Sequence, residues 1–285
     1  MTENFSSSLA DELFEVNSVK VPYFGASYRE IDDAIATGLY NNPKLKMVIR
    51  GLDMMKLMDD AEEMRFDMGE YPTYLYDDNP FNDVKYLLNK EVIFNRVYPM
   101  VVYSKKNGFD AGITSFDEYS NWNDEYEYGI EYIFPNGRQT VTAGEPVHLT
   151  EEERKMEDDN ISLNVTQLAS EYPGVDFYYF FTPYSVYWWG EKVTDGTIYK
   201  QVEAEEEEAI RLILEQDNIH LYSFNTREDI IANPDNYKDN HHYGEWINDL
   251  ILTEMKNDEC RLTKENYSDY IEKELEFLTT FDYNK

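Results

Sequence analysis

Two short apolar runs, each followed at once by a turn and then by a helical pattern, constrain this chain most. Ser18–Phe24 is rich in β-branched and aromatic residues and stops at Gly25. Tyr28–Leu39 follows with Ile31, Ala34, Ile35 and Leu39 at helical spacing, and Asn41-Asn42-Pro43 ends it. Lys46–Arg50 repeats the strand pattern, then Gly51-Leu52-Asp53 turns into a second helical stretch, Met54–Met64. Strand, turn and helix in alternation predict an α/β protein with a parallel sheet and crossover helices. The second half continues the theme. Thr150 with Glu153 forms a capping signal for a helix to about Ser170. Val175–Thr182 reads as a buried strand and Asn218–Phe224 as the last one, with a charged amphipathic helix, Gln201–Gln216, between them. Two terminal helices are expected over Tyr243–Lys256 and Thr263–Phe281. Residues 71–150 break the alternation: a Tyr, Pro and Asp-rich loop, a helical stretch over Phe81–Val102, then a polar, aromatic segment over Gly108–Gly144. They read as an α+β insertion in a single domain spanning 1–285.

Charge narrows the function. The 285 residues carry a formal net charge of -33, which disfavours nucleic acid or an anionic membrane as partner, because both recruit clustered cations. A hydrophobic content of 42% argues against disorder. One cysteine, Cys260, excludes an intramolecular disulfide and a cysteine-based zinc site. No apolar stretch is long enough to span a bilayer, and the first residues lack the form of a signal peptide.

Ligands of open parallel sheets sit at the carboxyl ends of the strands. The segments there are Gly25-Ala26-Ser27, Gly51-Leu52-Asp53, Pro183-Tyr184-Ser185 and the loop beyond Phe224, which holds Asp239-Asn240-His241-His242. Asp239 and His242 have D-x-x-H spacing just before a helix. A carboxylate near a histidine fixes its tautomer and lets it serve as a general base, and the same spacing also suits a helix-capping Asp beside a surface histidine. His241 next to His242 suggests a metal, but no complementary ligand set is evident, so no metal and no cofactor are expected. Ser27, between a strand and a helix, is a candidate nucleophile on local pattern, with Ser185 a weaker one.

These strand-end features, in this order, resemble the SGNH/GDSL hydrolase superfamily, most of all its bacterial cell-surface DltD-like and polysaccharide O-acyltransferase-like branch. Phe180-Phe181-Thr182-Pro183-Tyr184-Ser185 and Asn236–Tyr243 carry the closest likeness. The resemblance implies a three-layer αβα flavodoxin-like fold. It places Asp239 and His242 on the triad acid and base and Gly25 on an oxyanion-hole glycine. Asp53 falls where many members have an asparagine that donates to the oxyanion; an ionised carboxylate cannot donate, so this position departs from the pattern. The family's nucleophile follows its first strand in a G-x-S turn, and members resemble G-x-S-M-T-E-N-F there. This chain starts Met1-Thr2-Glu3-Asn4-Phe5. The expectation is therefore a first strand and a serine ahead of Met1, a membrane anchor in a full-length form, and an exposed sheet edge where the strand is missing. The implied activity is an esterase or O-acyltransferase working on acylated cell-surface glycan outside the cytoplasm, inactive without that serine. The alternative is a non-catalytic carbohydrate-binding or structural module, for which Tyr184, Tyr187, Trp188 and Trp189 would stack on sugars.

Overall fold

Strand-forming runs in a parallel sheet bury their side chains; two segments here do so on both faces, and a third, at the sheet edge, buries Arg50 and Leu52 on one. A computed structural model describes residues 2–65, 73–75, 79–108, 113 and 115–285. Strands β1 (Met47–Leu52), β2 (Asp176–Phe181) and β3 (Ile219–Ser223) pair in parallel in that order, and a two-residue β4 (Arg261–Leu262) adds antiparallel to β3. The fold is thus α/β with an open, mostly parallel sheet. The register sets Val48, Arg50 and Leu52 beside Phe177, Tyr179 and Phe181 on one face. There the Arg50 guanidinium donates to Asn164 O at 2.6 Å and lies over the Tyr28 ring at 4.8 Å. That ties the Tyr28–Asn41 helix and the 162–166 segment to this face. On the other face Phe5 meets Phe180 and Phe14 meets Tyr178, while the Tyr222 hydroxyl donates to Met255 O at 3.3 Å. The Ser7–Phe14 and Glu245–Lys256 helices cover that side.

The chain divides into two compact units, Met1–Glu63 with Phe116–Lys285, and Met64–Ser115. The second unit, by itself, holds a short helix at Val84–Leu87 and a helical run over 91–107 whose first seven residues are π-helical. Of the expected insertion over 71–150, residues up to Ser115 fall in the second unit and Phe116–Thr150 in the first. Of that stretch, 71, 72, 76–78, 109–112 and 114 lie outside the described residues.

Several elements differ from their sequence patterns. Ser18–Phe24 forms no strand. Val19, Val21 and Phe24 are 66%, 59% and 78% exposed, because an apolar run becomes a strand only where a neighbour offers a hydrogen-bonding edge. Met54–Met64 makes a single 3-10 turn, Met54–Lys56, capped by Asp53, although Leu57 and Ala61 still bury their side chains. The helices beginning at Thr150 and Ile198 form, and each widens into a π-helical stretch, Ser162–Thr166 and Ala204–Ile210.

Candidate functional site

Parallel pairing places the carboxyl ends of β1, β2 and β3 side by side, so the loops that follow Leu52, Phe181 and Ser223 leave the sheet together. The loop after β3 is shaped by two fully buried tyrosines. Tyr237 and Tyr243 bridge in antiparallel fashion, Lys238 N donates to His242 O at 3.0 Å, and Gly244 N donates to Asn236 O at 2.9 Å. Asp239 then folds back: its Oδ1 accepts the backbone N–H groups of His241 (3.0 Å) and His242 (2.8 Å). Its other oxygen, Oδ2, lies 2.7 Å from His242 Nδ1. Burial pushes the Asp239 carboxyl up, but the His242 hydrogen bond and charge and the backbone donors outweigh it and hold the group well below the usual carboxylate range.

The loop after β2 clamps this arrangement. The Ser185 hydroxyl donates to Asn240 O at 2.6 Å and its N–H donates there at 3.3 Å. The Tyr237 hydroxyl donates to Pro183 O at 2.8 Å. Ser185 is fully buried and spends its hydroxyl on holding the Asp239 loop. The loop after β1 brings Asp53, whose Oδ1 accepts from Met55 N at 3.0 Å and from the Tyr184 hydroxyl. Asp53 is thus an acceptor twice over, where an oxyanion hole would need a donor. Tyr184 in turn lies 5.7 Å from the His241 ring.

His241 sits against His242 with ring centroids 4.1 Å apart, and its Nδ1 is 2.6 Å from Asn240 Oδ1. Burial first, then the charge of His242, pulls its pKa below the ordinary value; Asp239 and Asp53 act the other way. Trp122 meets the His242 ring edge-on at 6.0 Å. The Lys238 ammonium lies over the Trp122 and Tyr126 rings at 4.2 and 3.6 Å. The first residues are also here. Lys20, buried, donates to the carbonyls of Glu3 (2.5 Å), Phe5 (3.1 Å) and Asp117 (3.3 Å), and Asn4 Oδ1 accepts from Trp122 N at 3.1 Å.

The structure therefore brings together Asp239, His242, His241 and, through Tyr184, Asp53. Gly25 adopts a left-handed φ of 64° in an exposed turn. It lies three residues before Tyr28, whose hydroxyl donates to Asp53 O at 3.0 Å; no hydrogen bond joins Gly25 to the Asp239–His242 pair among the described residues. Ser27 caps its helix: its hydroxyl accepts from Glu30 N at 3.2 Å while Glu30 accepts from Ser27 N at 2.8 Å, and it is 4% exposed. Tyr184, Trp188 and Trp189 are buried in the core, so their faces are covered rather than offered to a sugar. The roles of Tyr184 and of the Ser185 hydroxyl go beyond what spacing reveals; the density of aromatics around Pro183 was the one signal. No described helix is long and apolar enough to cross a membrane. Comparison with protein-family models, with curated proteins and with solved structures finds no match to this chain, and the site speaks through its own geometry.

Proposed function

We propose that this chain carries the acid–base half of an SGNH-type serine esterase or O-acyltransferase, acting on acyl esters of a bacterial cell-surface glycan. The observation that carries the reading is the 2.7 Å contact between Asp239 Oδ2 and His242 Nδ1 at the carboxyl ends of parallel strands. With its Nδ1 proton directed to Asp239, the imidazole presents Nε2 as the base. Nε2 would take the proton of a serine hydroxyl as the oxygen attacks the acyl carbonyl. The proton then passes to the departing sugar oxygen, and water or a second hydroxyl resolves the acyl-serine by the reverse steps.

That serine is proposed to precede Met1, on a strand that pairs with β1. Two observations support this. Thr2–Asn4 is tied beside His242 through Trp122, and β1 is an edge strand without a partner on its outer side among the described residues. Ser27 stays a rival nucleophile only if its cap opens. The flavodoxin-like arrangement, the extracytoplasmic setting and an anchor in a longer form belong to the same proposal. The test is a chain extended through the coding sequence upstream of Met1, assayed on a small aryl acetate. The extended protein is expected to hydrolyse it, His242→Ala in that protein to abolish turnover, and Ser27→Ala to leave it intact. Activity already present in the 285-residue chain and lost with Ser27→Ala would overturn the assignment of the serine.

A further inference from the structure

The same loop has a second chemistry available, independent of acyl transfer. Asp239, His241 and His242 converge so that one ligand atom from each lies within 4.8 Å of the others. His242 Nδ1 is 2.7 Å from Asp239 Oδ2, and His241 Nδ1 is 3.6 Å from Asp239 Oδ1. A tetrahedral zinc ion with bonds of about 2.0–2.1 Å holds its ligands roughly 3.3 Å apart. Both contacts, one to each oxygen of Asp239, lie near that spacing.

We propose that Asp239, His241 and His242 form a binding site for a late first-row divalent cation of the zinc type. The donor set argues for that class. Calcium and magnesium take oxygen ligands, whereas two imidazoles with one carboxylate favour zinc, copper or nickel. The loop is held for the task. The Tyr237–Tyr243 bridge closes it, and the Ser185 hydroxyl and N–H fix the Asn240 carbonyl. Trp122 against His242 and Tyr184 against His241 set the ring planes, the kind of outer support that ligands of metal sites receive. All three ligands are half-buried, which leaves a route in from solvent. A cation here occupies the Nδ1 of His242 and the carboxylate of Asp239, so binding it and using the pair for proton transfer exclude one another.

The experiment uses the full chain. Zinc is titrated calorimetrically in excess magnesium, which saturates the acidic surface, and cobalt is titrated while its visible absorption is followed. One zinc per chain is expected, with a tetrahedral-type cobalt spectrum, and with His241→Ala weakening zinc by more than about tenfold. His148 and His220 lie away from the loop, so in the unaltered chain zinc should shift the imidazole NMR resonances of His241 and His242 and spare those two. That measurement stands even if His241→Ala perturbs folding. Displacement of zinc by magnesium, or zinc shifts at His148 or His220 in place of the pair, would overturn the site.

Discussion

Replacing Glu157 with glutamine should flatten the alkaline loss of stability. Glu157 lies on the Glu151–Ile161 helix, is 0% exposed, and neither carboxyl oxygen has a hydrogen-bond partner among the described residues. Burial drives its pKa from 4.5 up to about 9, the charges of Glu208, Asp158 and Glu207 add to this, and Arg154 opposes it. Arg154 is already engaged by Glu207 at 2.5 Å and by Glu208. Since the folded value exceeds the unfolded one, the native state keeps a proton that the unfolded chain has released. The stability is therefore full below about pH 4.5 and is lost as pH rises toward 9. One such group changes stability by about 1.4 kcal/mol per pH unit, hence about 4 kcal/mol between about pH 5 and about pH 8. Glutamine mimics the protonated acid and does not titrate. Wild type and Glu157→Gln should melt close together at about pH 5, and at about pH 8 the variant should melt higher by on the order of 10 °C. Differential scanning calorimetry across that range reads the gap. Glu205 and Glu274, also buried with raised pKa values, steepen both curves; the Glu157 charge is one cause of the Glu205 rise, so the difference between the proteins reads Glu157 together with its effect on Glu205. Parallel curves would refute a buried, protonated Glu157.

Three further outcomes follow from single contacts. Gly196 has a φ of 80°, and a Cβ there would stand 1.9 Å from Glu145 O; Gly196→Ala should lower stability by more than about 2 kcal/mol, read as a lower denaturant midpoint at unchanged m. Ser185→Ala should cost roughly 1–2 kcal/mol, the loss of one buried hydrogen bond to Asn240 O, read by the same denaturation. The depressed pKa of Asp239 means that its stabilisation is present above the ordinary value of 3.8 and is lost as pH falls below it. The melting gap between wild type and Asp239→Asn should therefore close in strong acid, and a gap that persists there would count against the charged pair.

What the sequence disclosed of the fold follows from which signals are local. A short apolar run such as FYYFF, bounded by Asp176 and Pro183, suits a buried strand, and β2 is where that run stands. Capping boxes are equally local, and Thr150 with Glu153 starts its helix as the spacing predicts. Ser18–Phe24 has the letters of a strand, but strand formation is a property of a pair of segments, and no pairing edge reaches it. Two-residue β4 carries no pattern at all; it exists because Ser223 N finds Cys260 O at 3.1 Å. The π-helical widening at 162–166 and 204–210 is likewise invisible in spacing. Arg50 bonds the Asn164 carbonyl in the first, and buried Glu205 and Glu208 lie in the second.

The site divides along the same line. Asp239 and His242 are three residues apart, so one turn of backbone brings them together and their proximity is written in the spacing. Asp53 is a different case. Its neighbour Tyr184 is 131 positions away and reaches it only because β1 and β2 pair in register and end together. That contact decides what Asp53 can do. A carboxylate oxygen that receives both a phenolic O–H and the Met55 N–H is stabilised as an acceptor, and the hydroxyl that might have faced a developing oxyanion is already committed to it. Under the proposed acyl transfer, the oxyanion is therefore left to donors other than the Asp53 side chain. Asp53→Asn tests the point in the extended protein, because an asparagine could turn its amide toward the oxyanion. Equal or higher turnover on an aryl acetate is expected. A loss of more than about tenfold with an unchanged melting point would show that the carboxylate itself works in the reaction.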